Sequence, residues 1–325
     1  MCYYSGNIYD SASEYIDMKA EYLPSECEVI IYSEFIITDS SSIEYCNEDL
    51  LKSATDLNKP VVVMLRRSYR YTDWGTILSP DGNANDTKVL CDFAIKNHVA
   101  GFIVTGLTPR PYYKPVNIKV GEYIIPYLKQ LKCSPDFIIG VAVDGNATYI
   151  KNSSIYNFAV MNDLVTFYEI QTIELNECNP KIYNGLTPIT KVEHGANYMY
   201  GMEEVVSFLK ESKISLTKMT FDIEIKPISK NGLYFTSYAT VCHGDFNSSF
   251  SCVQTTKNLF DKGKFALKQN SGIIIKVMDY DDIKNDCDCS SKFAGLKNII
   301  AGFRGESQNI PCAKFDVQST KYEFK

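Results

Sequence analysis

Val99-Ala100-Gly101-Phe102-Ile103-Val104-Thr105-Gly106-Leu107-Thr108-Pro109 contains a short apolar run at Gly101–Thr105. A run that is apolar throughout, rather than alternating, reads as a strand buried on both faces, as in parallel sheets. Seven more candidates lie along the chain: Cys2–Ser5, Val29–Ile37, Val61–Leu65, Phe137–Val143, Leu164–Tyr168, Met219–Ile225 and Asn298–Gly302. Amphipathic segments separate them. Val120, Ile124, Leu128 and Leu131 recur on one helical face, and Met202, Val205, Val206 and Leu209 do the same. Eight strands with interleaved helices predict an α/β chain folded as a (β/α)8 TIM barrel. The less regular stretch 226–278 reads as a small α+β insertion after the seventh strand. The barrel is therefore assigned to 1–225 and 279–325. In this architecture the site forms at the C-terminal strand ends.

Composition narrows the function. Of 325 residues, 45% are hydrophobic and 22% charged, which excludes a disordered chain. No run approaches the roughly 18 apolar residues of a membrane span. The net charge of −6 comes without a basic stripe, so no nucleic-acid partner is expected. No CxxC pair is present and there are only three His, so neither a closed zinc site nor a cofactor is expected. Cys287 and Cys289 form a lone CxC. The eleven scattered Cys suit disulfides in a secreted protein, and their odd count leaves a free thiol or an intermolecular bridge. Sequons at Asn85, Asn146, Asn152 and Asn247 agree with secretion. Met1 is followed by Cys2-Tyr3-Tyr4 rather than a basic and then apolar stretch, so the reading is of a secreted chain whose signal peptide has been removed.

Several motifs in order resemble glycoside hydrolase family 18, specifically animal chitinases and chitinase-like proteins. Cys2-Tyr3-Tyr4 resembles the family's first strand, and Cys27 before Val29-Ile30-Ile31-Tyr32 the start of its second. Val99–Pro109 is similar to the catalytic fourth strand, which reads roughly FDGxDxDxEYP. Asn184-Gly185-Leu186-Thr187-Pro188 resembles a segment after strand six. Tyr280-Asp281-Asp282 and Gly295-Leu296 resemble passages near strand eight. The resemblance implies a Cys2–Cys27 disulfide and a second one joining Cys242 and Cys312.

It also implies a chemistry that the sequence does not carry. The family's acids converge because residues i, i+2 and i+4 of a strand share a face. Here the four positions of DxxDxDxE are Ala100, Ile103, Thr105 and Leu107. Leu107 stands where the resemblance places the proton donor and has no proton to give. The eighth-strand Trp that floors the family's sugar site aligns near Gly302, and the only Trp, Trp74, lies in a loop after strand three. No catalytic residue is assigned, and the chain is expected to be a pseudoenzyme.

Polar residues remain near the strand ends. Arg66, Arg67, Tyr69, Tyr168, Glu169, Asp222, Glu224 and Arg304 are the candidate ligand-binding residues. They read either as a repurposed pocket or as an internal ion-pair network, since buried charges must be paired. The expected partner is a chitin-type oligosaccharide or a protein. Two alternatives stand beside this. One is a glycoside hydrolase with relocated carboxylates at Glu169, Asp222 and Glu224. The other is a secreted structural or storage protein.

Overall fold

The computed structural model describes the chain except residues 10–14, 39, 68–73, 75–77, 79–85, 109–118, 174, 230–236, 244–250, 308–311, 313 and 316–325. Eight strands build the barrel: β1 (Cys2–Tyr4), β2 (Ile30–Ile37), β3 (Val61–Arg66), β4 (Gly101–Val104), β5 (Ile138–Asp144), β6 (Phe167–Gln171), β7 (Met219–Glu224) and β8 (Gly272–Lys276). Their order in the sheet is β1-β8-β7-β6-β5-β4-β3-β2, and β1 also pairs with β2, so the parallel sheet is closed. The ladders are in register from Val62↔Gly101 through Gly101↔Ile138 to Gly140↔Phe167. The longer helices are α1 (Glu48–Thr55), α2 (Asp86–Lys96), α3 (Val120–Gln130), α4 (Met202–Glu211), α5 (Thr256–Lys268) and α6 (Ala294–Arg304). The (β/α)8 architecture read from the sequence is the one observed.

The chain divides into two compact units, 28–171 with 207–220, and 1–27 with 172–206 and 221–325. The first is held by an aromatic chain in which Phe35 meets Phe93 and Phe102 edge-on, at 5.3 and 5.8 Å, and Phe102 meets Phe137 at 5.4 Å. Its β3 is buried along nearly its whole length, as a continuous β-branched run requires.

In the second unit the structure corrects the position of the last strand. Asn298–Gly302 lies inside helix α6, and the eighth strand is Gly272-Ile273-Ile274-Ile275-Lys276, within the stretch assigned to an insertion. A short apolar run cannot be told from a buried helix by periodicity alone. What decides it is packing: α6 lies backbone to backbone against α5. A Cβ on Gly263 would overlap Ile299 O, and one on Gly302 would overlap Phe260 O. The segment 226–278 is thus not an insertion as a whole, because α5 and β8 belong to the barrel. What interrupts the alternation is the antiparallel pair Ile228–Ser229 with Ser251–Cys252 and the short helix Tyr238–His243.

Five disulfides are formed: Cys2–Cys27, Cys91–Cys133, Cys178–Cys252, Cys242–Cys287 and Cys289–Cys312, leaving Cys46 as the free thiol. The Cys2–Cys27 bridge is as the resemblance implied. The Cys242–Cys312 bridge is not formed. Asp288, between the two Cys of the CxC, adopts a left-handed backbone (φ 53°), and the two flanking sulfurs bond to different partners, Cys242 and Cys312. The three clustered sulfurs of Cys287, Cys289 and Cys312 belong to two disulfides and offer no thiolate to a metal.

Candidate functional site

At the end of β4, none of the four expected acid positions carries a carboxylate. Ile103 is fully buried, and Thr105 and Leu107 are 4% and 3% exposed. Ala100 precedes the strand and is half-buried. Around this strand end the unit is filled from within. Trp74 Nε1 donates to Thr105 O at 2.9 Å. The indole is completely buried, meets Tyr127 edge-on at 5.4 Å, and lies 4.9 Å from the Arg67 guanidinium. Arg67 forms an ion pair with Asp86, and both side chains are out of solvent. Tyr127 Oη donates to the same Asp86 oxygen at 3.2 Å. Burial, reinforced by the Asp86 charge, pushes the Tyr127 phenol well above its ordinary range. The only Trp of the chain is therefore an interior residue, and the Arg67 guanidinium is turned into the protein.

Asp86 and Tyr127 were not among the sequence candidates. Asp86 opens α2, where an acid reads as a favourable helix-start residue, and Tyr127 falls on the buried stripe of α3. Only their convergence in space reveals the cluster. Tyr69, with Tyr71, Arg110, Tyr112 and Tyr113, lies outside the described residues.

On β6, side chains alternate between faces. Tyr168 is fully buried, donates to Asn162 Oδ1 at 3.0 Å and meets Phe158 edge-on at 5.4 Å. Burial raises its phenol above the ordinary range. Glu169 takes the opposite face and is also completely buried. Arg66 is half-buried at the end of β3.

In the other unit, β7 places Phe221 against Phe265 of α5 at 5.7 Å, which puts Asp222 and Glu224 on the opposite face. Asp222 Oδ1 accepts from Thr172 N at 2.6 Å and Thr172 Oγ1 at 2.9 Å. Glu224 pairs with Lys226 at 3.2 Å, and its backbone carbonyl accepts from Gln254 Nε2 at 2.7 Å. The two carboxylates are 4% and 6% exposed. Lys262 of α5 is buried in the same charge group. Burial lowers its ammonium to about 8, against the opposing pull of Glu224 and Asp222. Asp222 and Glu224 are thus buried and partnered within the protein rather than forming a row of open acids.

The correct eighth strand changes two further assignments. Arg304 lies exposed on the last turn of α6, where a cation suits the helix dipole, rather than just beyond a barrel strand. The aromatic-floor position sought near Gly302 falls on a helix. The true β8 ends at Lys276, whose ammonium lies 5.2 Å from the Tyr3 ring. The acids that follow β8 serve backbone. Asp281 accepts from Gly295 N at 3.1 Å and Leu296 N at 2.8 Å, capping α6. Asp282 accepts from Asp286 N and Cys287 N, and Asp279 from Ser5 Oγ. Burial pushes Asp279 and Asp281 up to about 6. Of the four sequons, Asn146 and Asn152 are described and partly or fully exposed, while Asn85 and Asn247 lie outside the described residues.

No protein-family model and no curated protein matches the chain. Solved structures do. Ostrinia furnacalis Group II chitinase catalytic domain 2, in complex with penta-N-acetylchitooctaose, superposes with a TM-score of 0.79 at 13% identity, over 97% of this chain and 98% of that one. Human YKL-39, described as a pseudo-chitinase with retained chitooligosaccharide binding properties, gives 0.74 at 12% identity, over 93% and 98%. TsES1, an immunomodulatory active chitinase from Trichuris suis, gives 0.70 at 13% identity, over 92% and 98%. At such identities the likeness speaks for architecture: the chain has the (β/α)8 fold shared by chitinases and chitinase-like proteins.

Proposed function

We propose that this chain is a secreted chitinase-like protein of the glycoside hydrolase family 18 type that no longer hydrolyses chitin and acts by binding, in a signalling or host-interaction role. The observation that carries this reading is Leu107. It stands where the sequence resemblance places the proton donor, it is buried, and Ile103 and Thr105 beside it carry no carboxylate either. General acid catalysis contributes about 10²- to 10⁴-fold in rate, and a leucine supplies none of it. The neighbours include both active chitinases and a pseudo-chitinase, so fold alone does not choose between them. Ten of the eleven Cys are paired, which fits an oxidising compartment. No helix among the described residues is long and apolar enough to cross a membrane.

The relocated-carboxylate reading finds less support. Asp222 and Glu224 are buried and bonded to Thr172 and Lys226, whereas a working acid or base needs reach to a substrate. The storage reading is limited by valence. With one free thiol, Cys46, covalent assembly through disulfides stops at a pair of chains.

Calorimetric titration with a chitin oligosaccharide, beside a turnover assay on the same preparation, tests the proposal. Binding heat without turnover is the expected outcome. Turnover overturns the loss of catalysis, and absence of heat moves the binding role from sugar to a protein partner.

A further inference from the structure

A groove of about 680 Å³ runs between α3 and the segment 153–160. Its walls mix apolar and polar groups: Ile125, Pro126 and Val160 beside Glu122, Ser153 and Ser154. Val160 is 40% exposed. Pro126 sits inside α3 and has no N–H, so the helix offers no i+4 donor to the Glu122 carbonyl. The groove thus combines apolar side chains with polar ones, beside a helix carbonyl that has no i+4 donor.

The segment that forms one wall is itself a glycosylation acceptor, Asn152-Ser153-Ser154. Asn152 Oδ1 accepts from Ser154 N at 3.0 Å, while its Nδ2 makes no hydrogen bond among the described residues. The wall is fixed to the helix by Gly121 N, which donates to Ser154 O at 2.8 Å. Asn152 therefore directly precedes a wall segment that is tied to the helix.

We propose that Asn152 carries an N-linked glycan whose first two N-acetylglucosamine units lie in this groove. Sugar rings present apolar faces and polar edges, which match Val160, Ile125 and Pro126 on one side and the Glu122 carbonyl and serine hydroxyls on the other. Attachment forms a bond from Asn152 Nδ2 to the anomeric carbon of a lipid-pyrophosphate-linked oligosaccharide. The carbon–oxygen bond to the pyrophosphate breaks, the lipid pyrophosphate leaves, and Nδ2 loses a proton. Asn146, whose Oδ1 accepts from Thr148 N at 2.9 Å, provides the internal comparison, because neither it nor its neighbours in the chain line the groove, whereas Asn152 directly precedes the lining pair Ser153-Ser154. The inference rests on the secreted character proposed above.

The test is site-resolved mass spectrometry of the full chain secreted from eukaryotic cells, followed by release of glycans from the folded protein with peptide N-glycosidase in ¹⁸O-water. Asn152 is expected to be occupied and released about tenfold more slowly than Asn146, with the difference abolished after denaturation. Val160→Asp, at an exposed position, is expected to bring the two rates together while leaving occupancy unchanged. Occupied Asn146 with empty Asn152, or equal release rates in the folded protein, overturns the groove assignment. A chain with no occupied sequon and reduced cysteines overturns secretion itself, a result distinguishable from the first.

Discussion

Around the end of β4, one ion pair, Arg67–Asp86, is enclosed by Trp74 and Tyr127. Around β7, three charged side chains, Asp222, Glu224 and Lys262, are buried in one group, with Lys226 at its edge. The first region resembles an aromatic core with a single electrostatic pin. The second resembles a polar interior in which charge is shared among several partners. The difference teaches how one barrel can be apolar at one strand end and charged along another strand. Where the strand carries Ile103, Thr105 and Leu107, packing fills the space. Where it carries carboxylates, Thr172 and Lys226 partner them.

The contrast is broken most severely at the pin. Arg67→Leu leaves Asp86 buried without its cation, and removal of one partner of a buried pair costs about 3–5 kcal/mol. Replacing both, as Arg67→Met with Asp86→Leu, is expected to cost far less, because no stranded charge remains. Denaturant unfolding of both variants measures the difference. A single-variant cost below about 1 kcal/mol would show the pair to be wet, like a surface bridge, and the aromatic enclosure to be unimportant.

The same contrast explains which parts of the molecule could be read in advance. The runs that became β2 to β5 are long, β-branched and flanked by amphipathic helices, so local pattern and tertiary role agree. The last strand and helix defeated that reading. Gly272–Lys276 was hidden behind an irregular stretch, and Asn298–Gly302 is as apolar as a strand because α6 packs so closely on α5. The absence of carboxylates at Ala100, Ile103, Thr105 and Leu107 was legible because it is a property of one contiguous segment. The Arg67–Asp86 pin was not, because its members lie 19 residues apart with nothing local to link them. The Cys242–Cys312 pairing implied by the resemblance was not formed, because Cys242 bonds Cys287 and Cys312 bonds Cys289.

The β7 group sharpens the comparison through its pH dependence. The ammonium of Lys262 titrates at about 8 in the folded chain, against an ordinary value of 10.5. Between those values the unfolded chain binds more protons, so stability rises with pH. From pH 7.5 to 9.5 the gain is about 2 kcal/mol, below the range where the buried tyrosines ionise. Lys262→Met is expected to flatten that slope, whereas Arg67 variants leave it in place. An unchanged slope in Lys262→Met would mean that the ammonium reaches water and the group is not a closed interior.

The smallest effect comes from the acids after β8, and it has the opposite sign. Asp279 titrates at about 6 when folded against an ordinary 3.8, because burial outweighs the Ser5 hydrogen bonds, and one of its oxygens, Oδ1, has no partner among the described residues. Here the folded chain binds more protons between the two values, so its contribution is complete below 3.8 and is lost as pH rises through 6. Acidification from pH 7 to 5 should therefore add about 1 kcal/mol from Asp279, and a similar amount from Asp281. Asp279→Asn removes the first share only, because the amide is neutral at both pH values while Asp281 continues to cap α6. Thermal melts at pH 5 and 7 distinguish the outcomes. If Asp279→Asn keeps the full acid gain, the proton is taken up elsewhere, and the unit's charge is governed by the β7 group rather than by the turn that follows β8.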